Sequence, residues 1–292
     1  MAAMLKMVQH KWFPPPDPTT SFAGKTIIVT GASSGLGFEA ALKFVQLDAS
    51  KVILACRSRD KGLKVQVEIE ARTKKTTTDV WDLDMDSYDS VRAFADRVNN
   101  DLERLDGAVL NAGLMMTKYK KSDYGWEETI QVNVLSTVLL SLLLLPKLKK
   151  SVTEHFKPTL EFVSSGLHRS AQILPEARDS SNTLGYYSTQ DHFSTRMYGL
   201  SKLFLMYAMK TMAAMTADKD GKPEIVVMSV CPGACQSDLG RGYEGAHYAV
   251  GKWVFGALMT KTAEAGARSY ISGLLLGDQA HGRFWQHDVL QP

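Results

Sequence analysis

Tyr198 and Lys202 are the two residues whose types and spacing most directly suggest chemistry. Residues 203–212, which follow them, are rich in Leu, Met and Ala, so the pair is predicted to lie on a helix. Four positions span about one helical turn and bring both side chains to one face. An ammonium group beside a phenol favours the phenolate, so Lys202 is expected to lower the pKa of Tyr198 and make it a proton donor near neutral pH. An exposed turn with one aromatic and one charged residue has the same pattern, so the pair needs support from elsewhere in the chain.

A glycine-rich turn between a predicted strand and a predicted helix indicates a phosphate site. Residues 25–30 form a β-branched apolar run typical of a buried parallel strand, and residues 38–46 are predicted to form a helix. The turn between them has the pattern Gly31-x3-Gly35-x-Gly37, which differs from the G-x-G-x-x-G fingerprint. Glycines let backbone amides approach a phosphate, and a helix N-terminus favours the anion. Dinucleotide binding is therefore the preferred interpretation over a simple turn.

The end of the second predicted strand indicates which dinucleotide binds. Residues 51–55 form this strand, and Cys56 and Arg57 follow it, with Arg59 and Lys61 close behind. An acidic residue here would bind the ribose 2′-OH of NAD, whereas an arginine accommodates the 2′-phosphate of NADP. Asp60 lies beyond the arginine, so NADP(H) is predicted. A solvated first turn of a helix is the alternative.

Composition narrows the class of protein. The 292 residues are 45% hydrophobic and 22% charged, and the net charge of +3 predicts neither nucleic acid nor an anionic membrane as a partner. Three cysteines, Cys56, Cys231 and Cys235, have no framework spacing and predict reduced thiols in the cytoplasm, without a metal site. The longest apolar run, residues 138–145, is far shorter than the roughly 20 residues of a membrane span.

Strands and helices alternate along the chain, which predicts an α/β fold. Residues 1–24 are expected to form an N-terminal arm and residues 25–292 a single domain, in which residues about 234–260 form a mobile apolar lid. Asn133 is the one strongly polar residue in the middle of a long predicted apolar helix. It could satisfy backbone groups or open a kink that holds a water. The stretch between Ser165 and Tyr198 is predicted to be loop-like.

Taken together, the ordered motifs resemble the short-chain dehydrogenase/reductase family over residues 24–286. They are Thr30-Gly31-x3-Gly35-x-Gly37, Leu83-Asp84-Met85, Asn111-Ala112-Gly113, Asn133, Ser165, Tyr198-x3-Lys202 and Pro232-Gly233-x3-Ser237. The segments Ala55-Cys56-Arg57 and Lys261-Thr262-Ala263-Glu264 are similar to the retinol-dehydrogenase-like branch. Residues 131–137 and 231–241 resemble fungal members of that branch, many of them from secondary metabolism.

The resemblance implies a single doubly wound Rossmann-type domain of about seven parallel strands flanked by helices. It implies an NADP(H)-dependent oxidoreductase in which Asn133, Ser165, Tyr198 and Lys202 form a catalytic tetrad. The residues that would bind the cofactor are Gly31, Ser33, Ser34, Gly35, Leu36, Gly37, Arg57, Asp84, Met85, Asn111, Ala112, Gly113, Tyr198, Lys202, Pro232, Gly233 and Ser237. A homodimer through the helices of Asn133 and Tyr198 is the arrangement common in the family. Three departures are noted: Leu110 before Asn111, Ser136 in place of a frequent glycine, and the long Ser165–Tyr198 separation.

The substrate is predicted to be a hydrophobic or aromatic ketone, aldehyde or alcohol, and carbonyl reduction is the expected direction. The candidate pocket residues are mostly Met, Leu and aromatic: Met115, Met116, Leu167, His168, Tyr243 and Trp253, with Leu114 and Tyr124 beside them. Ser164 and Ser165 point to opposite sides of a strand, and the family pattern selects Ser165. A non-redox cyclase or dehydratase, or a cofactor-sensing binding protein, could use the same scaffold.

Overall fold

A single sheet forms the centre of the computed structural model, which describes residues 12, 14–236, 239 and 260–291. Its strands are β1 (Thr26–Thr30), β2 (Lys51–Cys56), β3 (Thr78–Asp82), β4 (Gly107–Leu110), β5 (Thr159–Val163), β6 (Val226–Cys231), β7 (Phe284–Gln286) and β8 (Val289–Gln291). The order across the sheet is β3-β2-β1-β4-β5-β6-β7-β8, and only the last pair is antiparallel. The predicted doubly wound Rossmann-type sheet is confirmed, and β8 is an addition to it. The strand order reverses between β1 and β4, which is where such sheets bind ligands.

Helices cover both faces of the sheet. They are α1 (Gly35–Gln46), α2 (Arg59–Thr73), α3 (Tyr88–Asp101), α4 (Glu128–Ile130), α5 (Thr137–Lys150), α6 (Pro175–Asp179), α7 (Thr183–Tyr187), α8 (Met197–Met215) and α9 (Ala263–Leu274). A π-helical segment, Gln131–Ser136, joins α4 to α5, and 3-10 turns occupy Gly166–Ser170, Gln190–His192 and Gly277–Ala280.

The continuous apolar runs of the strands are explained by two cores. In β1, Ile27 and Val29 pack with α1, α2 and α9, whereas Ile28 packs on the other face with α3, α5 and α8. Strand side chains alternate between faces, so a strand covered on both sides needs apolar residues at every position. This double burial is the reason that residues 25–30 predict a parallel strand correctly.

The segment that is predicted to be loop-like before Tyr198 instead contains α6, α7 and two 3-10 turns. Its apolar residues Ala177 and Tyr187 pack against Ile130, Met197 and Leu200, which belong to α4 and α8. Because the pattern of short helices is too brief to show a periodicity, the sequence did not reveal them. The segment is thus attached to the helix that carries Tyr198.

The helical stretch Glu128–Lys150 is long and apolar enough to meet the length and hydropathy criteria for a membrane span, but 61% of its window is buried inside the fold. Leu140, Leu144 and Leu148 lie in the core beside the sheet. A helix buried in this way has the composition of a core helix. The part of the N-terminal arm that the structure describes also packs on the domain, with the Phe22 ring 5.1 Å from that of Phe44.

Glu161 is a buried acid in the middle of β5, with both carboxylate oxygens unpartnered among the described residues. A Cβ atom on Gly273 would collide with its Oε2, so the glycine leaves room for the carboxyl group. Burial raises the pKa of Glu161 well above 4.5. The folded protein therefore keeps this proton at pH values where the unfolded chain releases it.

We expect the free energy of unfolding to fall as the pH rises above about 4.5, because only the unfolded chain loses the Glu161 proton. The contribution is at most about 1.4 kcal/mol per pH unit. Glu161→Gln should remove it, and denaturant unfolding between about pH 5 and 8 measures the difference. Glu154→Gln, a change at a side chain 88% exposed, is the control. Parallel pH curves for wild type and Glu161→Gln would contradict the assignment.

Candidate active site

The glycine turn after β1 forms a cradle at the N-terminus of α1. Gly31 and Gly35 have φ of +67° and +55°, in the left-handed region that favours glycine. A Cβ atom on Gly37 would collide with the Gly31 carbonyl oxygen and lie 2.7 Å from Asn111 Nδ2. The N-cap residue Ser34 makes no side-chain capping bond. The first amides of α1 are therefore available to an anion, which fits a dinucleotide pyrophosphate.

Asn111 holds the end of β4 against the end of β1. Its Nδ2 donates to the Thr30 carbonyl at 2.9 Å, and its Oδ1 accepts from the Tyr270 hydroxyl at 3.1 Å. The Ala112 amide donates to Thr30 Oγ1 at 2.9 Å. These bonds fix Asn111, Ala112 and the exposed Gly113 at the edge of the cradle, where the sequence predicts them.

At the end of β2, Cys56 is a buried thiol and Arg57 is an exposed cation. Burial raises the pKa of Cys56 to about 11, so it is a neutral thiol. Arg57 is exposed, whereas Arg59 is engaged with Asp82 at 3.3 Å. Lys120 pairs with Glu128 at 2.8 Å and is a further cation, whose charge interacts with that of Arg57. The sequence reasoning did not include Lys120, which lies far from Arg57 along the chain.

Asp84 and Met85 follow β3 and behave differently. Asp84 is half-buried, and its Oδ1 accepts a hydrogen bond from the Asp86 amide at 3.0 Å. Met85 is only 6% exposed and packs in the core, and its contact with a cofactor stays a prediction.

Asn133 lies in the π-helical segment, and its side chain satisfies backbone groups, as the first of the two sequence-based alternatives has it. Its Oδ1 accepts from the Leu114 amide, and its Nδ2 donates to the Leu114 carbonyl, each at 2.9 Å. Nδ2 also donates to Ser201 Oγ at 3.0 Å. The side chain thus ties the Asn111–Leu114 segment to α8, and the water relay predicted for Asn133 stays a prediction.

Ser165 faces the site and Ser164 does not. Ser164 Oγ donates to the Lys202 carbonyl at 3.4 Å and is buried against α8. Ser165 is half-buried and forms a hydrogen bond with Tyr198. The strand alternation alone leaves both serines as candidates, and the geometry favours Ser165 for contact with a bound molecule.

Tyr198 and Lys202 lie together on α8, with Lys202 Nζ 5.5 Å from the centre of the Tyr198 ring. Burial raises the pKa of Tyr198 above 10.0, the Cys231 sulfur adds to the rise, and the Ser165 hydrogen bond opposes it. Burial lowers the pKa of Lys202 to about 8. The expected lowering of the Tyr198 pKa by Lys202 is thus not found, because burial outweighs it, and the protein holds a protonated phenol at neutral pH.

A hydrogen bond to the end of β5 holds the Lys202 side chain in place. Its side chain is buried, and Nζ donates to the Val163 carbonyl at the end of β5, 2.8 Å away. A Cβ atom on Gly113 would lie 3.7 Å from Nζ and 3.2 Å from Asn133 Oδ1. The ammonium consequently lies between the end of β5 and the open backbone of Gly113.

Cys231 is a residue of the site that the sequence did not indicate, since there it predicts only a reduced thiol. It is the last residue of β6, and its Sγ accepts from the Gly166 and Gly233 amides at 3.3 Å. The thiol thus joins the turn after Ser165 to Pro232-Gly233, where Gly233 has φ of +79°. The cysteines of the described residues are free, and these residues contain no cluster that could hold a metal ion. Ser237, the third predicted residue of this group, lies outside the described residues.

The predicted substrate residues lie in different parts of the structure. His168 Nδ1 lies 2.7 Å from the Ser165 carbonyl oxygen, and Leu167 contacts Gly199 beside Tyr198. Met115 and Met116 are half-buried after the Gly113 segment. The Tyr124 ring packs 4.2 Å from that of Tyr88, and its place in the substrate pocket stays a prediction. Tyr243, Trp253 and most of the predicted lid lie outside the described residues.

A cavity of about 700 Å³ adjoins His168. It is lined by the turn after Ser165, by α6 and by the α8 residues Leu203 and Tyr207. The segment inserted before Tyr198 therefore contributes one wall of this cavity, next to the residues of the candidate active site.

Comparisons with known proteins agree with this geometry. Residues 25–165 match the short chain dehydrogenase family. The chain is 42% identical over 279 residues to the short-chain dehydrogenase/reductase ffsI of Aspergillus flavipes, an alignment that covers 94% of this chain and 80% of that protein. It is also 42% identical to the short-chain dehydrogenase/reductase phmF of Phaeosphaeria nodorum, over 95% of this chain and 81% of phmF.

Solved structures share the fold. The RhlG/NADP active-site complex of Pseudomonas aeruginosa superimposes with a TM-score of 0.71 at 22% identity, covering 94% of this chain and 98% of that one. A short-chain dehydrogenase of Shigella flexneri 2a complexed with NADP has a TM-score of 0.62 at 22% identity, covering 92% and 99%.

Proposed function

Because the chain belongs to the short-chain dehydrogenase family and is thus a nicotinamide-dependent oxidoreductase, we propose that it reduces a hydrophobic or aromatic carbonyl compound with NADPH. The observation that supports this most is the meeting of Ser165, Tyr198 and Lys202 beside the glycine cradle of α1. The cradle fits a pyrophosphate, and the phenol and hydroxyl fit a carbonyl oxygen.

Bound NADPH would supply a hydride to the carbonyl carbon. Tyr198 would donate its proton to the carbonyl oxygen, because burial keeps the phenol protonated at neutral pH. Ser165 would donate a hydrogen bond to the same oxygen as negative charge develops on it. Lys202, held by the Val163 carbonyl, would place a positive charge beside the phenol after proton transfer. A protonated phenol supports the reductive direction.

Asn133 acts in this scheme as a positioning residue. Its bonds to Leu114 and Ser201 keep α8 at a defined distance from the segment that includes Gly113. The half-buried Met115 and Met116, together with Leu167 and His168, support an apolar substrate. The free thiols support a reducing compartment, and we place the protein in the cytoplasm. Its fungal relatives make secondary metabolism the setting we propose.

A panel of carbonyl compounds and alcohols, assayed with NADPH, NADP, NADH and NAD, tests the function. We expect apolar ketones or aldehydes to cause a stoichiometric loss of reduced nicotinamide absorbance. Conversion of a substrate without cofactor oxidation would instead indicate a cyclase or dehydratase. Cofactor binding without turnover of any compound would indicate a cofactor sensor.

Arg57→Gln is expected to weaken NADPH binding about ten- to a hundredfold and to leave NADH binding unchanged, because the exposed guanidinium would bind the 2′-phosphate. Calorimetric titration of both cofactors measures the effect. Arg59→Gln is the matched control, since Arg59 lies on the same turn and pairs with Asp82. An equal loss of affinity for NADPH and NADH would refute the role of Arg57.

A further inference from the structure

Lys261 is a buried lysine, and no group of opposite charge contacts its Nζ among the described residues. The residue is 4% exposed, and Nζ has no hydrogen-bond partner among the described residues. Burial lowers its pKa, the sulfurs of Cys235 and Cys231 and the Asp288 carboxylate raise it, and Arg268 lowers it further. An isolated charge away from water is costly unless a partner of opposite charge satisfies it. Among the described residues no side chain contacts Nζ as that partner, which makes a bound anion a candidate for the role.

The position of Lys261 is fixed at the carboxyl end of the sheet. Its backbone pairs with the segment after β6, since the Lys261 amide donates to the Ala234 carbonyl at 3.0 Å and the Gln236 amide donates to the Lys261 carbonyl at 2.9 Å. A Cβ atom on Gly233 would lie 3.6 Å from Lys261 Nζ. The ammonium thus lies against the Pro232-Gly233 turn, at the edge where the active site lies.

The next residues connect Lys261 to the glycine cradle. Thr262 caps α9 by accepting from the Ala265 amide at 3.1 Å. A Cβ atom on Gly266 would lie 2.7 Å from Leu36 Cδ2, so the first turn of α9 packs closely on the first turn of α1. Lys261 lies five residues before Gly266 in the sequence. The contact places the start of α9, which follows Lys261, beside the N-terminus of α1, where the open amides lie.

We propose that Lys261 is a further cofactor-binding residue, whose ammonium binds the pyrophosphate that the amides of α1 also hold. The inference rests on the proposed function, because the dinucleotide is the anion which that function brings to this edge. A doubly charged pyrophosphate satisfies a buried ammonium better than the neutral carboxamide of nicotinamide does. Binding the anion would also raise the pKa of Lys261, so cofactor binding would take up protons at alkaline pH.

Calorimetric titration of wild type and Lys261→Met with NADP and with 2′-phospho-ADP-ribose tests the proposal. The second ligand retains the pyrophosphate and lacks nicotinamide. We expect Lys261→Met to weaken both ligands about ten- to a hundredfold. Titration in buffers of different ionisation enthalpy at alkaline pH should show that the variant loses proton uptake. Lys261→Arg should retain affinity but lose this proton uptake, because a guanidinium remains charged.

Lys157→Met is the matched control, because Lys157 pairs with Asp278 in an ion pair remote from the cradle. The variant should bind both ligands as wild type does. We also expect unliganded Lys261→Met to unfold at the same temperature as wild type or a higher one, since it removes an uncompensated buried charge. This readout separates a ligand-binding role from a structural one.

Three results would overturn the proposal. Unchanged affinity of Lys261→Met for both ligands would show that the ammonium binds neither. If the Met variant does not fold, proton uptake that persists in Lys261→Arg would show the same. Weaker binding of NADP alone would move the contact to the nicotinamide. Failure of the wild-type protein to bind any dinucleotide would remove the proposed function itself, which distinguishes that failure from the other two.

Discussion

Tyr198→Phe is expected to lower kcat for carbonyl reduction by about 10²- to 10⁴-fold, the usual contribution of a positioned general acid. The phenylalanine keeps the ring that packs on α8 and removes only the hydroxyl that donates the proton. Burial holds that hydroxyl in its protonated form, so the variant lacks the donor at every pH where the wild type is active. Affinity for NADPH should change little, and single-turnover kinetics with saturating cofactor measure the loss in the chemical step.

Tyr207→Phe is the matched control for this experiment. Tyr207 lies on the same helix, is 53% exposed and lines the cavity beside His168, so loss of its hydroxyl should alter KM at most and leave the single-turnover rate constant unchanged. Ser165→Ala should lower kcat by a similar order, about 10²- to 10³-fold, if it stabilises the same oxygen. A Tyr198→Phe variant that binds NADPH and reduces carbonyl compounds at the wild-type rate would remove Tyr198 from the mechanism.

Local sequence patterns were sufficient to predict strands that are buried on both faces of the sheet. The run at residues 25–30 reports burial directly, because its apolar side chains alternate between the two cores. The glycine turn could also be predicted from the sequence. Positive φ at Gly31 and Gly35 and the close approach at Gly37 restrict these positions to glycine, so a backbone requirement is visible as a residue type.

Features that depend on contacts distant along the chain were not readable in the same way. Lys261 is an ordinary residue in sequence, and only its burial against Gly233 reveals an unpartnered ammonium. In sequence, Cys231 is one of three cysteines without a pattern, and only the structure shows that it is the last residue of β6. Strand alternation limits Ser164 and Ser165 to opposite faces, but it cannot say which face α8 covers. The hydrogen bond from Ser164 to the Lys202 carbonyl answers that question.

The pKa values of the pair on α8 show how a local rule is changed by the fold. Spacing predicts that Lys202 lowers the pKa of Tyr198, yet burial raises the pKa of the phenol and lowers that of the ammonium. Desolvation disfavours both charged forms, so the two residues approach a neutral pair as the pH rises. A negatively charged cofactor beside Lys202 would favour the ammonium again.

Lys202→Met is expected to lower kcat/KM for NADPH by about 10²-fold or more, because it removes a charged donor from the site. The pH dependence gives a sharper test. Burial lowers the pKa of Lys202 to about 8, so the free wild-type enzyme loses the ammonium as the pH rises through that value. Since kcat/KM reports the ionisation of the free enzyme, its value for NADPH should decline above about pH 8 in wild type.

The variant should lack this alkaline decline, because methionine has no proton to lose, whereas its activity at lower pH is already reduced. Lys210→Met removes the same charge from an exposed position further along α8 and should retain the wild-type profile. If the alkaline decline persists unchanged in Lys202→Met, another group controls it. Lys202 would then serve as a structural link to the Val163 carbonyl, and its ammonium would have no part in binding or proton transfer.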